Sequence, residues 1–267
     1  MGFFNNIISP FVSYLPDNNR YERIWKLALV DFKKRYYNTR LGLVWALINP
    51  IFRLFIYLFV FTWLGKIRME NFGFYIFGAL ILWMSFTECT TQSIDLFRKK
   101  LYLIQNVQLN IMDLFLAKVI SVFLGLAFNL GAYLCASLVF GIPIYMELIW
   151  VPFLLIIHFF ICLGASMILA VLGIYIKDIT HLWTMVIMLG FWTIPAIFPL
   201  EAFTGKLQYL LYVNPVGGII INMRNALLYG QSMDFTFLIH CTIYSLSLYI
   251  IGQYLLKKHW RSASERL

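Results

Sequence analysis

The sequence predicts an all-α, polytopic membrane protein: one transmembrane domain with six membrane-spanning helices, an amphipathic helix near the N-terminus and a re-entrant segment before the last span. Hydrophobic residues make up 61% of the 267 residues and charged residues only 12%. A soluble domain of this length could not bury so much apolar surface, so lipid is the expected solvent. Charge-free stretches then give the number of spans, and the basic residues give their direction.

Four stretches contain no Asp, Glu, Lys or Arg and are long enough to cross about 30 Å of hydrocarbon at roughly 1.5 Å per residue: 119–146, 148–176, 179–200 and 235–256. Two more stretches qualify when one charge is tolerated in each: 41–65, which contains Arg53, and 71–94, which contains Glu88. The six spans are therefore predicted at about 41–65, 71–94, 117–141, 149–175, 179–200 and 235–256.

The stretch 207–223, LQYLLYVNPVGGIIINM, is apolar enough to suggest a seventh span. Asn214 and Pro215 lie at its centre and are followed by Gly217 and Gly218. In lipid, these residues would expose unpaired backbone groups. We therefore predict that 201–230 forms a pair of short helices that dip into one leaflet and return.

The basic residues are distributed unevenly between the two sides of the membrane. With six spans, fifteen Lys and Arg residues fall on the side of the two termini and four on the other. The side with more is expected to be cytoplasmic. A seventh span would move the basic segment KKHWRSASER outside and spoil this pattern. The net charge of +9 thus suits anionic membrane lipids rather than nucleic acid.

Residues 20–38, RYERIWKLALVDFKKRYYN, precede the first span. Tyr21, Ile24, Ala28 and Phe32 form one apolar stripe at helical spacing, and six basic residues lie around it. This pattern is typical of an amphipathic helix in the cytoplasmic membrane interface. A positively charged topology anchor explains the basic residues equally well.

The sequence shows no strong sign of an active site. It contains no Walker A sequence (G-x-x-x-x-G-K-S/T), so the chain is not expected to hold ATP by itself. The four histidines and four cysteines occur singly, without the spacing of a zinc site or a CxxC pair. We predict no catalytic residue, no metal ligand and no cofactor in this chain.

Two charges remain inside predicted spans, and such residues are functional candidates. Arg53 and Glu88 lie on spans that run in opposite directions, and their depths differ by about 5 Å at roughly 1.5 Å per residue. We expect them to pair or to face a shared polar cavity. The alternative is that Arg53 extends to the cytoplasmic headgroups.

The helical face that carries Arg53 also carries Asn49, Tyr57 and Phe61. A strip of polar and aromatic groups suits the passage of sugars, because their hydroxyls form hydrogen bonds and their C–H faces pack on rings. For any single aromatic residue, packing is the alternative, since aromatics make up 18% of the chain.

Several segments resemble the permease subunits of ABC type-2 exporters for O-antigen, capsule and teichoic-acid polymers. RLGLVWALINP (40–50) resembles the start of the first span in that family. FPL (198–200) and LLYVNPVGGIIINMRNALLYG (210–230) resemble the family's segment between spans five and six. The likeness covers roughly residues 20 to 258. Arg53 is not part of the shared motif.

The resemblance implies a homodimer in the cytoplasmic (inner) membrane that exports a lipid-linked polysaccharide. Two copies of a cytoplasmic ABC ATPase would bind ATP and Mg and would contact the segments 20–38 and 95–113. The implied coupling residues are Arg23, Lys26, Arg98, Lys99 and Lys100. The segment 201–230 would act as an extracytoplasmic gate through Asn214, Pro215, Gly217 and Gly218.

In the same family, spans one and five line the channel. On that analogy Tyr57, Phe61 and Trp192 are candidates for the channel lining. With the polar residues identified above from the sequence pattern, the candidate substrate path comprises Asn49, Arg53, Tyr57, Phe61, Glu88 and Trp192. The main alternative is an integral-membrane transferase that acts on lipid-linked sugars, which predicts a cluster of polar catalytic groups at one membrane face. A channel or a multi-span scaffold is a second alternative.

Overall fold

The computed structural model describes residues 19–36, 40–66, 68–100 and 110–266, and within these ranges it contains helices and no β-strand. We number the helices of these ranges as follows: α1 Arg20–Tyr36, α2 Trp45–Leu58, α3 Phe72–Ile94, α4 Ile111–Val139, α5 Val151–Tyr175, α6 Ile179–Trp192, α7 Gln208–Val213, α8 Gly217–Arg224 and α9 Phe235–Arg266. A single helical turn, Leu96–Lys99, follows α3.

In the described part of the chain, five helical segments are long and apolar enough to cross a membrane: Gly42–Leu64, Phe72–Ile94, Ile111–Val139, Met146–Tyr175 and Phe235–His259. They contain α2, α3, α4, α5 and most of α9. The multi-pass membrane fold predicted from the sequence is therefore confirmed. The count of six crossings is not, because α6 has only 14 residues, or about 21 Å at 1.5 Å per residue.

The charge-free stretch 179–200 does not form one continuous helix. Its helical part ends at Trp192, and Pro195 and Pro199 follow. Proline lacks a backbone N–H and clashes with the preceding turn, so a regular helix cannot continue through these positions. The absence of charged residues therefore identified an apolar segment, but it did not predict where the helix in that segment ends.

The helix over the predicted third span begins at Ile111, before the predicted start at 117. The side chain of Asn110 caps it by accepting a hydrogen bond from the backbone N–H of Met112 at 3.0 Å. Asp113 and Lys118 then lie within the helix and are buried. Charges that seemed to mark the membrane boundary are instead part of the protein interior.

The centre of the bundle is formed by α5, which packs most extensively against α9 and then α3. Glycines allow the close approach: a Cβ on Gly252 of α9 would lie 2.8 Å from the carbonyl oxygen of Gly164 in α5. Small residues at a contact let two helix backbones come together, which is how helices associate in lipid. This pair forms the rigid core of the fold.

The N-terminal helix α1 packs along α4 with one face. Ile24, Leu27 and Ala28 are buried in this contact, whereas Tyr21 is exposed. The predicted apolar stripe is therefore displaced by a fraction of a turn, with Leu27 rather than Tyr21 facing protein. Residues 37 and 38 of the predicted interface helix lie outside the described residues.

Between α6 and α9 the chain folds into short helical pieces. α7 and α8 are separated by a turn at Asn214, Pro215 and Val216, and α8 continues into a π-helical stretch, Asn225–Tyr229. Nearly all of α8 is buried. The helix–turn–helix form agrees with the predicted break, while its position within one leaflet stays a prediction.

Candidate functional site

A polar cleft of about 530 Å³ lies between α2 and the pair formed by α3 and α4. The last turn of α1 closes one end of it. The polar residues that line it come from four helices: Arg35, Tyr36, Asn49, Arg53, Ser85, Thr87, Glu88, Thr91 and Asn129. The rest of the wall is largely apolar and includes two tryptophans, Trp45 and Trp83. Burial raises the pKa of Tyr36, so its hydroxyl stays neutral.

The proline of the first span is part of this cleft. Pro50 lies inside α2, and together with Ala46 it lines the wall. Because proline has no N–H, the carbonyl of Ala46 lacks the donor that a regular helix would supply four residues later. The helix breaker thus leaves a backbone acceptor beside the cleft.

Glu88 is bound by Arg35 of α1. Nε of Arg35 lies 2.9 Å from Oε1 of Glu88, and Nε2 of Gln92 donates to the same oxygen at 2.8 Å. Lys118 of α4 donates in turn to Oε1 of Gln92. This chain of polar side chains joins α1, α3 and α4 and satisfies the intramembrane carboxylate.

Arg53 shares the cleft with Glu88 but forms no ion pair with it. Of the two predicted arrangements, the structure therefore shows the shared polar cavity and not the pair. The reason is that Arg35, which lies outside the predicted spans, occupies the carboxylate. Arg53 has no salt bridge or hydrogen bond to any described residue.

The predicted polar and aromatic strip of α2 divides into two parts. Asn49 and Arg53 line the cleft, whereas Tyr57 and Phe61 lie outside it. Tyr57 stacks on Phe191 with ring centroids 5.4 Å apart, and Phe61 contacts Phe198 edge to face. Tyr57 thus attaches α2 to the end of α6, and Phe61, in the helical stretch Phe59–Leu64 that continues α2, contacts the segment after α6. Trp192, the remaining candidate, is half exposed and does not line the cleft.

Asp113 fastens α1 to the start of α4. This fully buried carboxylate accepts from Nε of Arg20 at 2.8 Å and from Nη2 of Arg23 at 3.2 Å. The hydrogen bond to Asp113 raises the pKa of Arg20. Arg23, predicted to contact a partner, therefore has an internal partner as well.

A second ion pair joins α1 to the other end of the predicted coupling region. Nζ of Lys100 lies 2.8 Å from Oδ1 of Asp31. The middle of that region, 101–109, lies outside the described residues, but both of its flanks are thus bound to α1. Arg98 and Lys99 remain exposed, each 3.8 Å from a carboxylate oxygen of Asp95.

Lys26, the remaining predicted coupling residue, forms an ion pair within α1. Its Nζ lies 2.7 Å from Oε1 of Glu22, one helical turn away. Such a pair on one helix face contributes about 0.2–0.5 kcal/mol. The Lys26 side chain is partly buried.

The predicted gate residues lie at the turn between α7 and α8. Nδ2 of Asn214 donates to the carbonyl of Gly190 at 3.0 Å and to Oγ1 of Thr193 at 2.9 Å. Its Oδ1 accepts from the backbone N–H of Val216 at 3.1 Å. One side chain therefore holds the turn and ties it to the end of α6.

The glycines of the same turn allow α8 to approach α9. A Cβ on Gly218 would lie 2.6 Å from Sγ of Cys241 and 3.1 Å from Cβ of Phe237. Cys241 also donates to the carbonyl of Pro215 at 3.4 Å. Gly217 is buried as well, with the carbonyl of Leu211 3.4 Å from its Cβ position. The four predicted gate positions thus pack between α6 and α9.

Arg224 and Tyr75 satisfy the irregular backbone that follows α6. Nη2 of Arg224 donates to the carbonyl of Pro195 at 2.7 Å, and its guanidinium lies 3.3 Å from the centroid of the Tyr75 ring. The Tyr75 hydroxyl donates to the carbonyl of Phe198 at 2.9 Å. Such partners are required where a helix ends inside a membrane bundle.

Arg35, Asp113 and Arg224 were not among the predicted site residues. Each was visible only as a charge near the end of an apolar stretch, and its partners are far away in sequence. A usable signal for Asp113 was a carboxylate next to a long apolar stretch, where it is costly unless it is paired.

The buried His158 has contacts at Nε2 and at its ring face, while its Nδ1 has no hydrogen-bond partner among the described residues. Its Nε2 lies 2.8 Å from Oγ of Ser85, and its ring contacts Phe123. Within the described ranges, no group of three or more His, Cys, Asp or Glu side chains could hold a metal ion.

Comparison with known proteins supports a single family. The sequence profile of the family described as "ABC-2 type transporter" matches residues 22–228. A protein named "O-antigen export system permease protein RfbA" from Klebsiella pneumoniae is 22% identical over 201 residues, which is 75% of this chain and 78% of that protein. A protein of the same name from Myxococcus xanthus is 21% identical over 196 residues, or 73% and 75%. The chain therefore belongs to the ABC-2 type transporter family, as a multi-pass permease subunit.

Proposed function

We propose that this chain is the channel-forming subunit of an ATP-driven exporter that moves a lipid-linked polysaccharide outward across the cytoplasmic membrane. The family match and the names of the relatives carry this proposal. The cargo would be a polymer of the O-antigen, capsule or teichoic-acid type. The cleft supports a sugar-bearing cargo, since amide and hydroxyl side chains stand there beside two tryptophan rings.

ATP and Mg would bind to two copies of a separate cytoplasmic ATPase. The exposed side chains of Arg98 and Lys99 offer this partner a basic contact surface. Because the ion pairs at Lys100 and Asp113 join both flanks of 101–109 to α1, movement of the ATPase would displace α1 and the loop together. The displacement would then pass to α3 through the ion pair of Arg35 with Glu88 and to α4 through that of Arg20 with Asp113.

The working unit would be a homodimer with both termini in the cytoplasm. Support comes from α2, since only 11% of the residues in its apolar stretch are buried, and from the exposed ring of Trp192 on α6. In the dimer, these faces would line a channel between the two copies. The orientation follows from the excess of basic residues on the side of the termini.

The test is co-purification with a co-expressed ABC ATPase, followed by measurement of ATP hydrolysis. We expect the double substitution Arg98→Ala with Lys99→Ala to reduce ATPase retention several-fold, because two exposed cations are lost from the contact surface. The matched control is Lys66→Ala with Arg68→Ala, which removes two exposed cations from the segment before α3, on the opposite predicted side of the membrane.

Equal retention by the coupling variant and the control would contradict the placement of the ATPase at 95–113. If the purified chain modified a lipid-linked sugar without ATP or a partner, the membrane-transferase alternative would replace the exporter.

A further inference from the structure

A second pocket, of about 380 Å³, lies where α1 begins, α4 begins and the apolar stretch of α9 ends. We call it the interfacial pocket, because the membrane-crossing stretch of α4 begins at Ile111 and that of α9 ends at His259. It shares no described lining residue with the polar cleft at α2. Its volume lies in the range of sites for small organic ligands.

Cations outnumber carboxylates around the interfacial pocket. Arg20 of α1 and Lys257 of α9 line it, and no carboxylate is among its described lining residues. Asp113, in the first turn of α4, is shared between Arg20 and Arg23. Lys257 forms no ion pair with any described residue. Three cations thus face one carboxylate, and the pocket favours an anion.

Two amide side chains beside these cations have polar atoms to spare. Oδ1 of Asn110 accepts from the backbone N–H of Met112 at 3.0 Å, which leaves its Nδ2 as a donor. Nε2 of Gln253 donates to the Tyr249 hydroxyl at 2.7 Å, which leaves its Oε1 as an acceptor. A ligand that fits therefore combines an anionic group with a hydroxyl.

An exposed stripe of α9 leads from the pocket into the membrane. At intervals of three or four residues before Lys257, the side chains are apolar or aromatic and exposed: Tyr254, Ile250, Leu246 and Ile243. From Ile243 to Lys257 the stripe rises about 21 Å at 1.5 Å per residue. This is more than one leaflet's share of a hydrocarbon core about 30 Å thick. A ligand with a hydrocarbon chain could therefore lie along it.

We propose that the interfacial pocket binds the headgroup of phosphatidylglycerol. The phosphate accepts charge-assisted hydrogen bonds from Arg20 and Lys257, and a hydroxyl of the terminal glycerol donates to Oε1 of Gln253. One acyl chain lies along the exposed stripe of α9. Because the two cations belong to α1 and α9, the bound lipid holds these helices together. The site does not depend on the proposed export function, and none of the predicted coupling residues lines it.

The experiment measures binding of dioleoylphosphatidylglycerol to the purified full chain in detergent by native mass spectrometry, which separates the first bound lipid from later ones. We expect Lys257→Gln to weaken the first binding event about fivefold, as for loss of one basic residue near an anionic headgroup. The matched control is Lys258→Gln, which removes the neighbouring exposed cation outside the pocket and should bind like the wild type. Thermal unfolding checks that each variant is folded.

Two further comparisons test the chemistry of the headgroup. Dioleoylphosphatidylcholine carries no net charge and should not compete at equal mole fraction. Gln253→Leu removes the acceptor for the glycerol hydroxyl, so it should weaken binding of phosphatidylglycerol but not of dioleoylphosphatidic acid, whose headgroup has no glycerol. Soluble glycerol 3-phosphate lacks the acyl chains and should not displace the lipid.

Several results would overturn the proposal. Equal weakening by Lys257→Gln and Lys258→Gln would mean that the whole basic end of α9 attracts the lipid and that the pocket does not select it. Competition by phosphatidylcholine would refute the anionic ligand, and displacement by millimolar glycerol 3-phosphate would refute the lipid. Equal effects of Gln253→Leu on both anionic lipids would refute the glycerol contact. The assay contains neither ATPase nor nucleotide, so the site and the proposed exporter can fail separately.

Discussion

The two sides of the helix bundle are held together in different ways. On one side, α5 and α9 meet backbone to backbone at Gly164 and Gly252, and 72% of the residues in the apolar stretch of α5 are buried. On the other side, the corresponding share for α2 is 11%. There a polar cleft separates α2 from its neighbours.

This difference assigns distinct tasks to the two sides. Close packing of small residues gives the α5–α9 side a single arrangement, since a packed interior resists changes of even one methyl group. On the α2 side, Nη1 of Arg35 and Oδ1 of Asn129 have no hydrogen-bond partner among the described residues, and Arg53 has no ion pair among them. Substitutions on the first side should therefore change stability, and substitutions on the second should change binding.

The largest effect is expected for Gly164→Leu. A side chain at this position meets the backbone of α9 at Leu248 and Tyr249, which cannot rotate away as a side chain could. We expect the free energy of unfolding to fall by about 3 kcal/mol or more, above the usual cost of overpacking. The measurement is thermal unfolding of the purified permease in detergent, followed by tryptophan fluorescence.

Gly131→Leu is the matched control for this substitution. Gly131 lies in the middle of α4, and a Cβ there meets no atom within 4 Å. Its unfolding temperature should stay close to that of the wild type. If both variants unfolded at the same temperature, the close contact between α5 and α9 would not be the rigid core of the fold.

A smaller effect is expected for Asp113→Asn at the junction of α1 and α4. The substitution removes the ion pairs of a fully buried carboxylate with Arg20 and Arg23. We expect a loss of about 2 kcal/mol, less than for a wholly buried pair because Arg20 is half exposed. Faster limited proteolysis within α1, compared with the wild type, would measure its release.

Asp95→Asn serves as the comparison for the junction. Asp95 is partly exposed, and its two cations lie 3.8 Å away, so its change should stay within about 0.5 kcal/mol. Equal destabilisation by the two substitutions would mean that Asp113 does not fasten α1.

Hydropathy and charge were sufficient to predict the helical membrane fold, because each span is a local feature of the sequence. They also singled out Asn49, Arg53 and Glu88, which line the cleft, since a polar residue inside an apolar stretch is visible without a structure. The partner of Glu88 could not be predicted. Arg35 is one of several basic residues in α1, and only tertiary packing selects it.

The end of α6 shows the same limit for backbone structure. A charge-free stretch suggested a span over 179–200, yet Pro195 and Pro199 end the helix early, and those prolines were the available signal. The groups that stabilise the irregular segment, Arg224 and Tyr75, come from distant parts of the chain. Sequence spacing contains no information about such contacts.

The controls apart, the smallest effect on stability, and the sharpest test of the cleft, is expected for Glu88→Gln. Glu88 is partly exposed and its ion pair with Arg35 contributes about 1 kcal/mol or less, while glutamine keeps the capacity to accept a hydrogen bond. Loss of the carboxylate releases the positive charge of Arg35 into the cleft. We therefore expect tighter binding of tritiated undecaprenyl phosphoryl glucose, an analogue of the proposed lipid-linked cargo, to the immobilised permease, by about threefold to tenfold, with little change in unfolding temperature. Weaker binding together with marked destabilisation would instead show that Glu88 maintains the shape of the cleft, and the division between a packed side and a binding side would then fail at this residue.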